Sequence, residues 1–573
     1  MTKYNITYAS TKVGRGTIEV NGYLLHSKYD PIKEAIRFVD KEINEQYLTV
    51  IFGLGKGYIL DVLNDQKYNS QKIVIVEPIA EIEPIVDSKG YTIVKSSDIK
   101  VLREVIEQNL THFSREVRVI NLPNYDKICP AEYKQLLKMV KDIQWLNIVN
   151  ENTVRGQSQY WQENQIKNTL YAFCGNNIKA LKAAYKIPVV VASGGPSLIK
   201  QLPLLKEIRS KVVLIAAGST LITLQKEGVT PDYIASIDGN KGNFERHFKN
   251  NDIGKAQLIY SFSNYFEIQK YFPNASFAFT DLNQLDLVKQ LNERYGFVDM
   301  QNLEGGGSVA NYALSIARYI STGPIAMIGQ DLAYTNNQTH AKHNISAEEV
   351  TDELIKTRGA FKIEGYFGDE VLTDYSLFSM KKRFEEIIKT IQDSDTIFNC
   401  TEGGVKIIGM NQIAFTEFCS RFISTSIEKN LVIPTPKNRD LDDLINIYIK
   451  EIKNYNDILI DLKSAVRLLN NVKLQKQFSN KILKELDKID KNIKKRKENV
   501  LMNSILDPII MDVMLKYESR HNETDKEKYE RVLAQNEELY SRLLVVTEQS
   551  KSFVEEILDE TRKKMRDNNG RNY

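Results

Sequence analysis

At 573 residues the chain is long enough for two to four domains, and 42% hydrophobic residues give them cores. A net charge of only +3 speaks against a strongly electrostatic nucleic-acid binder, and 26% charged residues is the composition of an ordinary globular protein. Four scattered cysteines with no CxxC pair argue against a zinc cluster or a disulfide framework, and the absence of a signal-peptide apolar core or of any apolar run of about 18 residues predicts a cytoplasmic protein with no membrane span.

Residues 1–45 alternate short apolar runs with turn signals such as Val20-Asn21-Gly22-Tyr23. A strand is predicted over 47–52, then the turn Gly53-Leu54-Gly55-Lys56-Gly57, a helix over 58–63 and a second strand over 72–76 ending in Glu77-Pro78. A glycine-rich βα turn with an acid after the next strand is the layout of a Rossmann-like half, in which the acid takes a ribose hydroxyl. It resembles a methyltransferase-type unit. Nothing nearby supplies methyl-transfer chemistry, so a structural role for this half is expected. Residues 135–185 read mostly as helices and as a connector, with Trp145 and Trp161 as core anchors.

From Pro188 strand and helix alternate, with strands predicted at 189–192, 211–217, 233–237, 257–262, 276–279 and 324–328. This alternation gives a parallel sheet whose ligands sit at the carboxyl ends of the strands. The residues there are small, polar or titratable. Ser193, Gly194, Gly195, Pro196 and Ser197 follow the first strand, and Gly218, Ser219 and Thr220 the second. Asp238, Gly239 and Asn240 follow the third, and Gly329, Gln330, Asp331, Tyr334 and His340 the last. The turn at 193–197, between a β-branched run and a helix start, is a candidate anion site, because free N–H groups and the helix dipole face the ligand. A side chain at Gly195 is expected to collide with that ligand. A second candidate is Gly305-Gly306-Gly307-Ser308 ahead of a helix over 309–319, and Thr401 and Glu402, after a further strand, could reach the same cleft. Near Ile433-Pro434-Thr435-Pro436-Lys437 the composition shifts, and 440–566 reads as several amphipathic helices with breaks within 503–508 and 519–527 and a frayed tail. The expected division is 1–175, Rossmann-like; 185–430, a parallel-sheet α/β domain; and 438–573, all-helical.

Ala192-Ser193-Gly194-Gly195-Pro196-Ser197-Leu198, Pro231-Asp232-Tyr233 through Asp238, and Gly306-Gly307-Ser308-Val309 resemble the motility associated factor (Maf) glycosyltransferases, as do 328–334 and Thr339-His340-Ala341. The N-terminal half, with His26-Ser27 and Asp30-Pro31, and the helical C-terminus fit the family's three-part layout. The resemblance implies a sialyltransferase-like central domain that transfers a nonulosonic acid, pseudaminic or legionaminic, from a CMP-activated donor to Ser/Thr of flagellin, for flagellum assembly and motility. It implies flagellin and the CMP-sugar as partners, with neither nucleic acid nor membrane, and no obligatory cofactor. The nucleotide and sugar would lie against Ser193, Gly194, Gly195, Pro196, Ser197, Gly218, Ser219, Asp238, Gly239, Asn240, Gly306, Gly307, Ser308, Gln330, Thr401 and Glu402.

Such a reaction needs donors for the departing phosphate and a base for the acceptor hydroxyl. Tyr334, Ser308 and backbone N–H groups suit the phosphate, so no divalent metal is expected. His340 suits the base, with Asp331 placed to orient its imidazole, and His343 three residues on lacks the further ligands of a metal set. Two alternatives remain. A pterin diphosphokinase family resembles the same domain and would hold Mg²⁺-ATP on Asp238 and Asp331. An inert, flagellin-binding assembly factor would turn over no donor.

Overall fold

The computed structural model describes residues 4–570 except 44–46, 65–71, 84–90, 110–116, 250, 252, 273–274, 282–284, 298–299, 392–393, 425, 434–438 and 520–522. All but Ile433 of the stretch Ile433–Lys437, part of the break at 519–527 and the last tail residues therefore lie outside the described residues. The chain forms two compact units, Met1–Glu151 and Asn152–Tyr573, and the helix Pro130–Cys174 carries residues of both. It is one helix of 45 residues where several were expected. Trp145 is 43% exposed on it rather than sunk in a core, whereas Trp161 is half-buried.

In the first unit, β1 (Ile6–Ser10), β2 (Gly16–Val20) and β3 (Tyr23–Leu24) form an antiparallel sheet. Asn21 and Gly22 join the last two at φ 51° and 84°, the left-handed pair a two-residue hairpin requires. A parallel sheet follows from β4 (Leu48–Phe52), β5 (Ile73–Val76), β6 (Thr92–Val94) and β7 (Val117–Asn121), in the order β6-β5-β4-β7. β4 and β5 are buried on both faces, which is why they read as unbroken apolar runs.

The glycine turn after β4 is closed by its own chain. Glu77, fully buried, accepts hydrogen bonds at Oε2 from the N–H groups of Leu54 and Gly55, both at 3.0 Å, and from the Tyr125 hydroxyl at 2.5 Å. Its Oε1 accepts from the Ile79 N–H at 2.9 Å. Burial raises the carboxyl's pKa and these donors oppose the rise. A Cβ on Gly53 (φ 104°) would lie 2.3 Å from the Tyr125 ring, and one on Gly55 2.3 Å from His26 Nε2. The acid that a Rossmann layout would turn to a ribose hydroxyl bonds the chain's own turn, in line with the structural role expected of this half.

The second unit is built on one sheet. Its strands are β8 (Asn176–Asn177), β9 (Val189–Ala192), β10 (Val213–Ala217), β11 (Tyr233–Ser236), β12 (Gln257–Ser261), β13 (Ser276–Asp281), β14 (Asn302–Leu303), β15 (Ile325–Ile328), β18 (Ile397–Asn399) and β19 (Asn411–Gln412). The hairpin β16 (Phe361–Glu364) and β17 (Glu370–Thr373) stands apart. The order is β14-β13-β12-β11-β10-β9-β15-β18-β19, all parallel, with β8 beside β13. The six predicted central strands are all present, shifted by at most two residues at their ends.

Alternate residues face opposite sides. Val189, Val191, Val213 and Ile215 pack on the helix Val309–Ile320. Val190, Ala192, Leu214 and Ala216 pack on the helices Leu198–Ile208 and Phe415–Phe422. Further along that second face, Ile234, Leu258, Tyr260 and Ala278 share a core with the C-terminal helices Leu441–Gln475, Asn480–Lys497, Asn503–Lys516 and Asp525–Gly570. The break expected within 503–508 falls earlier, at 498–502, and Pro508 sits inside a helix, where it leaves one carbonyl without its N–H partner.

The C-terminal helices therefore cover the sheet. Glu451 is fully buried and holds Arg294 at 3.0 Å and the Leu501 N–H at 2.8 Å. Truncation after residue 430 would expose this face and leave Arg294 unpaired, at a cost of about 3–5 kcal/mol for the broken buried pair alone. We expect the 1–430 fragment to aggregate. A monomeric fragment with a cooperative melt would refute the shared core. Among the described residues no helix is long and apolar enough to cross a membrane.

Candidate functional site

The chain runs from β9 outward to β14, then returns through the helix Val309–Ile320 to lay β15 on the other side of β9. A crevice opens at such a reversal, outside the carboxyl ends of the two strands. The loops after β9 and β15 meet there. The Gly195 N–H donates to the Gly329 carbonyl at 2.9 Å, and Ser193 Oγ donates to Gln330 Oε1 at 2.6 Å. Asp331, buried to 1% exposure, accepts from Ser197 Oγ at 2.6 Å and from the Ser197 N–H at 3.2 and 3.3 Å. A third loop is pinned to these two. Thr401 Oγ1 accepts from the Gln330 N–H at 3.1 Å, and the Asp331 carbonyl accepts from the Val405 N–H at 2.8 Å.

This geometry corrects two expectations. A Cβ on Gly195 would lie 2.1 Å from Asp331 Oδ2 and 2.5 Å from the Gly329 carbonyl, so the turn is glycine because the chain itself crowds it. Asp331 is spent on Ser197 and does not orient His340, whose Nδ1 lies 3.2 Å from Thr339 Oγ1. Burial raises the Asp331 pKa, opposed first by the Ser197 hydroxyl.

On the β10 and β11 side of the crevice several more of the predicted residues gather. The Gly194 carbonyl accepts from the Ala341 N–H at 2.9 Å, and the Asn344 amide donates to the Ser219 carbonyl at 3.1 Å, tying both turns to the loop that carries His340. The Cβ position of Gly194 is 3.0 Å from that amide and 3.5 Å from Thr220 Oγ1, a fully buried hydroxyl with no hydrogen-bond partner among the described residues. Gly218 lies against Phe248, and Gly239 against Asn164, Ser263 and Trp161. Asn240 caps the helix Lys241–His247 by accepting from the Asn243 N–H at 2.8 Å. Asp238 is solvent-exposed at the end of β11. Desolvation by the neighbouring protein raises its pKa, and Arg246 opposes the rise.

Two residues of this region escaped the sequence. His247 is buried, its Nδ1 has no hydrogen-bond partner among the described residues, and its pKa is lowered to about 4 by burial, then by Arg246 and His340. Its signal was position, at the end of the helix that Asn240 starts. Asn344 was hidden because only the fold brings it to Ser219. His340 itself has a lowered pKa, through burial, with the Ser346 carbonyl and Glu348 opposing. It is therefore neutral at pH 7 and able to accept a proton. His343 turns instead toward Glu227, 3.8 Å away.

The other predicted residues lie elsewhere. Ser308 caps its helix through the Asn311 N–H at 3.3 Å, while Gly306 and Gly307 lie against Arg383 and Met380. The Tyr334 hydroxyl donates to Asp374 at 2.5 Å, so its proton is committed. Pro196, Ser197, Tyr334 and Glu402 line a cavity of about 710 Å³ beneath the β16–β17 hairpin. Among the described residues no three His, Cys, Asp or Glu side chains converge as a metal group.

Residues 163–337 match the family described as 6-hydroxymethylpterin diphosphokinase MptE-like, which spans the crevice strands from β9 to β15. An uncharacterized protein of Treponema pallidum (strain Nichols) is 26% identical over 215 residues, covering 35% of this chain and 73% of that protein. The solved structure of a Maf glycosyltransferase from Magnetospirillum magneticum AMB-1 superposes with a TM-score of 0.55 at 14% identity, over 98% of this chain and 95% of that one. The chain thus has the fold of a Maf glycosyltransferase along nearly its whole length.

Proposed function

We propose that this chain is a glycosyltransferase that moves a nonulosonic acid, pseudaminic or legionaminic in type, from a CMP-activated donor to Ser/Thr hydroxyls of flagellin in the cytoplasm, in support of flagellum assembly and motility. The observation that carries the reading is a switch-point crevice with a neutral imidazole at its rim, in a chain with the fold of a Maf glycosyltransferase. The donor lies against Gly194, Ser219 and Asn240, where backbone groups and small side chains permit close approach. His340 takes the proton of the acceptor hydroxyl as its oxygen bonds to the anomeric carbon. The bond from that carbon to the phosphate oxygen breaks, and CMP leaves with the electron pair. Intact-mass analysis of flagellin from cells with and without this gene tests the reading. A mass difference equal to one or more nonulosonic acid residues is expected, and identical masses would sink it.

A second reading, diphosphoryl transfer from Mg²⁺-ATP, is favoured by the match over 163–337. It calls on Asp238 and Asp331 together, and the burial of Asp331 against Ser197 weighs against it. The two readings differ under chelation. Transfer from the CMP-sugar should survive EDTA, and a strict Mg²⁺ or Mn²⁺ requirement would favour the diphosphokinase.

A further inference from the structure

The cavity beneath the hairpin is lined by the far side of the loops after β9, β15 and β18, and Gly194, Ser219, Asp238, Asn240 and His340 are not among its lining residues. Its volume of about 710 Å³ falls within the range of small-molecule sites, about 300–1,000 Å³. Its walls include Lys200, Tyr334, Phe367, Asp369, Glu370 and Glu402. Three carboxylates and one ammonium line it; Glu402 pairs with Lys200 at 3.1 Å and Glu370 with Lys362 at 3.5 Å, so Asp369 carries the excess negative charge. That excess disfavours an anionic ligand such as a CMP-linked acid sugar.

The hairpin tip is held rather than loose. The Tyr366 N–H donates to the Gly404 carbonyl at 2.8 Å, and the Tyr366 hydroxyl reaches the Asn399 and Ile413 carbonyls at 3.2 and 3.0 Å. The Gln412 amide donates to the Tyr366 carbonyl at 2.7 Å. This bracing presents the next residue, Phe367, 70% exposed at the rim. Across the cavity, Glu402 and Asn336 keep left-handed backbone, φ 54° and 53°. Such conformations in a glutamate cost free energy that the surrounding contacts must offset.

An exposed aromatic face beside carboxylates that only accept hydrogen bonds selects a ligand with an apolar C–H face and hydroxyl donors around it. We propose that this cavity is a second sugar site, specific for an uncharged hexopyranoside and separate from the donor crevice. The inference does not depend on the donor's identity.

Saturation-transfer NMR on the full chain tests it, with methyl glucosides, galactosides and mannosides as probes, and glucuronate and protonated methyl glucosaminide as charged controls. At least one neutral glycoside should receive saturation and glucuronate none. Phe367→Ala and Asp369→Asn, both at exposed positions, should lose the signal while CMP affinity stays within twofold of the parent. Silence from every neutral glycoside, equal transfer to glucuronate, binding of the cationic sugar alone, or an undiminished signal in both variants would each overturn the proposal.

Discussion

Gly195→Val will cost the second unit stability before it costs it any ligand. A valine Cβ would overlap Asp331 Oδ2 and the Gly329 carbonyl, and one of these obstacles is backbone. Relief requires parting the β9 and β15 loops, which leaves a buried carboxylate short of the Ser197 hydroxyl and N–H. Overpacking adds about 1–3 kcal/mol, and an unsatisfied buried polar group about 1–3 kcal/mol more. A loss of about 2–6 kcal/mol, with a clear fall in melting temperature, is the expected outcome. Gly194→Ala is the contrasting variant, since its Cβ meets side-chain ends alone, the Asn344 amide at 3.0 Å and Thr220 Oγ1 at 3.5 Å. It should melt close to the parent and bind CMP more weakly. A Gly195→Val protein with the parent's melting curve would show that Asp331 does not lock the loops.

His340→Ala should leave CMP affinity and melting temperature near those of the parent and lower transfer to flagellin by about 10²–10⁴-fold, the usual contribution of a positioned base. The pH profile adds a check that a structural role would not meet. Burial lowers the His340 pKa from its ordinary 6.5, so the neutral, proton-accepting form prevails at pH 7. The parent's rate should then hold through neutrality and fall only as the medium becomes more acidic than 6.5, when the imidazole protonates. The residual activity of the alanine variant should lack that limb. Near-parental transfer by His340→Ala would remove the base assignment and turn attention to Asp238 and His247.

How much of this could be read from residues alone depended on whether the cause was local. Val189-Val190-Val191-Ala192 is β-branched and buried on both sides, so its strand announces itself, and so do the strands after it. The glycine turns were equally visible, and their meaning was harder. A glycine admits close approach of anything, and at Gly195 and Gly55 what approaches is Asp331 or His26 rather than a solute. Nothing in the spacing of Asp331, Tyr334 and His340 shows that the first turns to Ser197 and the second to Asp374, 40 residues further on. The same limit applies to the C-terminal helices. Their periodicity reveals an apolar stripe on each, but the partner of that stripe, the Ile234–Leu258 face of the sheet, is a property of the fold.

The Glu77 carboxylate has a meaning beyond the packing of its turn. A group bound to Leu54, Gly55, Ile79 and Tyr125 through four hydrogen bonds is held as tightly as a solute in a receptor, but it is tethered to the receptor by its own backbone. Its effective concentration is fixed by chain geometry and does not vary with the composition of the medium. Occupancy of that cradle is therefore constant, and the position transmits no information about metabolite levels. Any signal that reaches the first unit has to enter somewhere else.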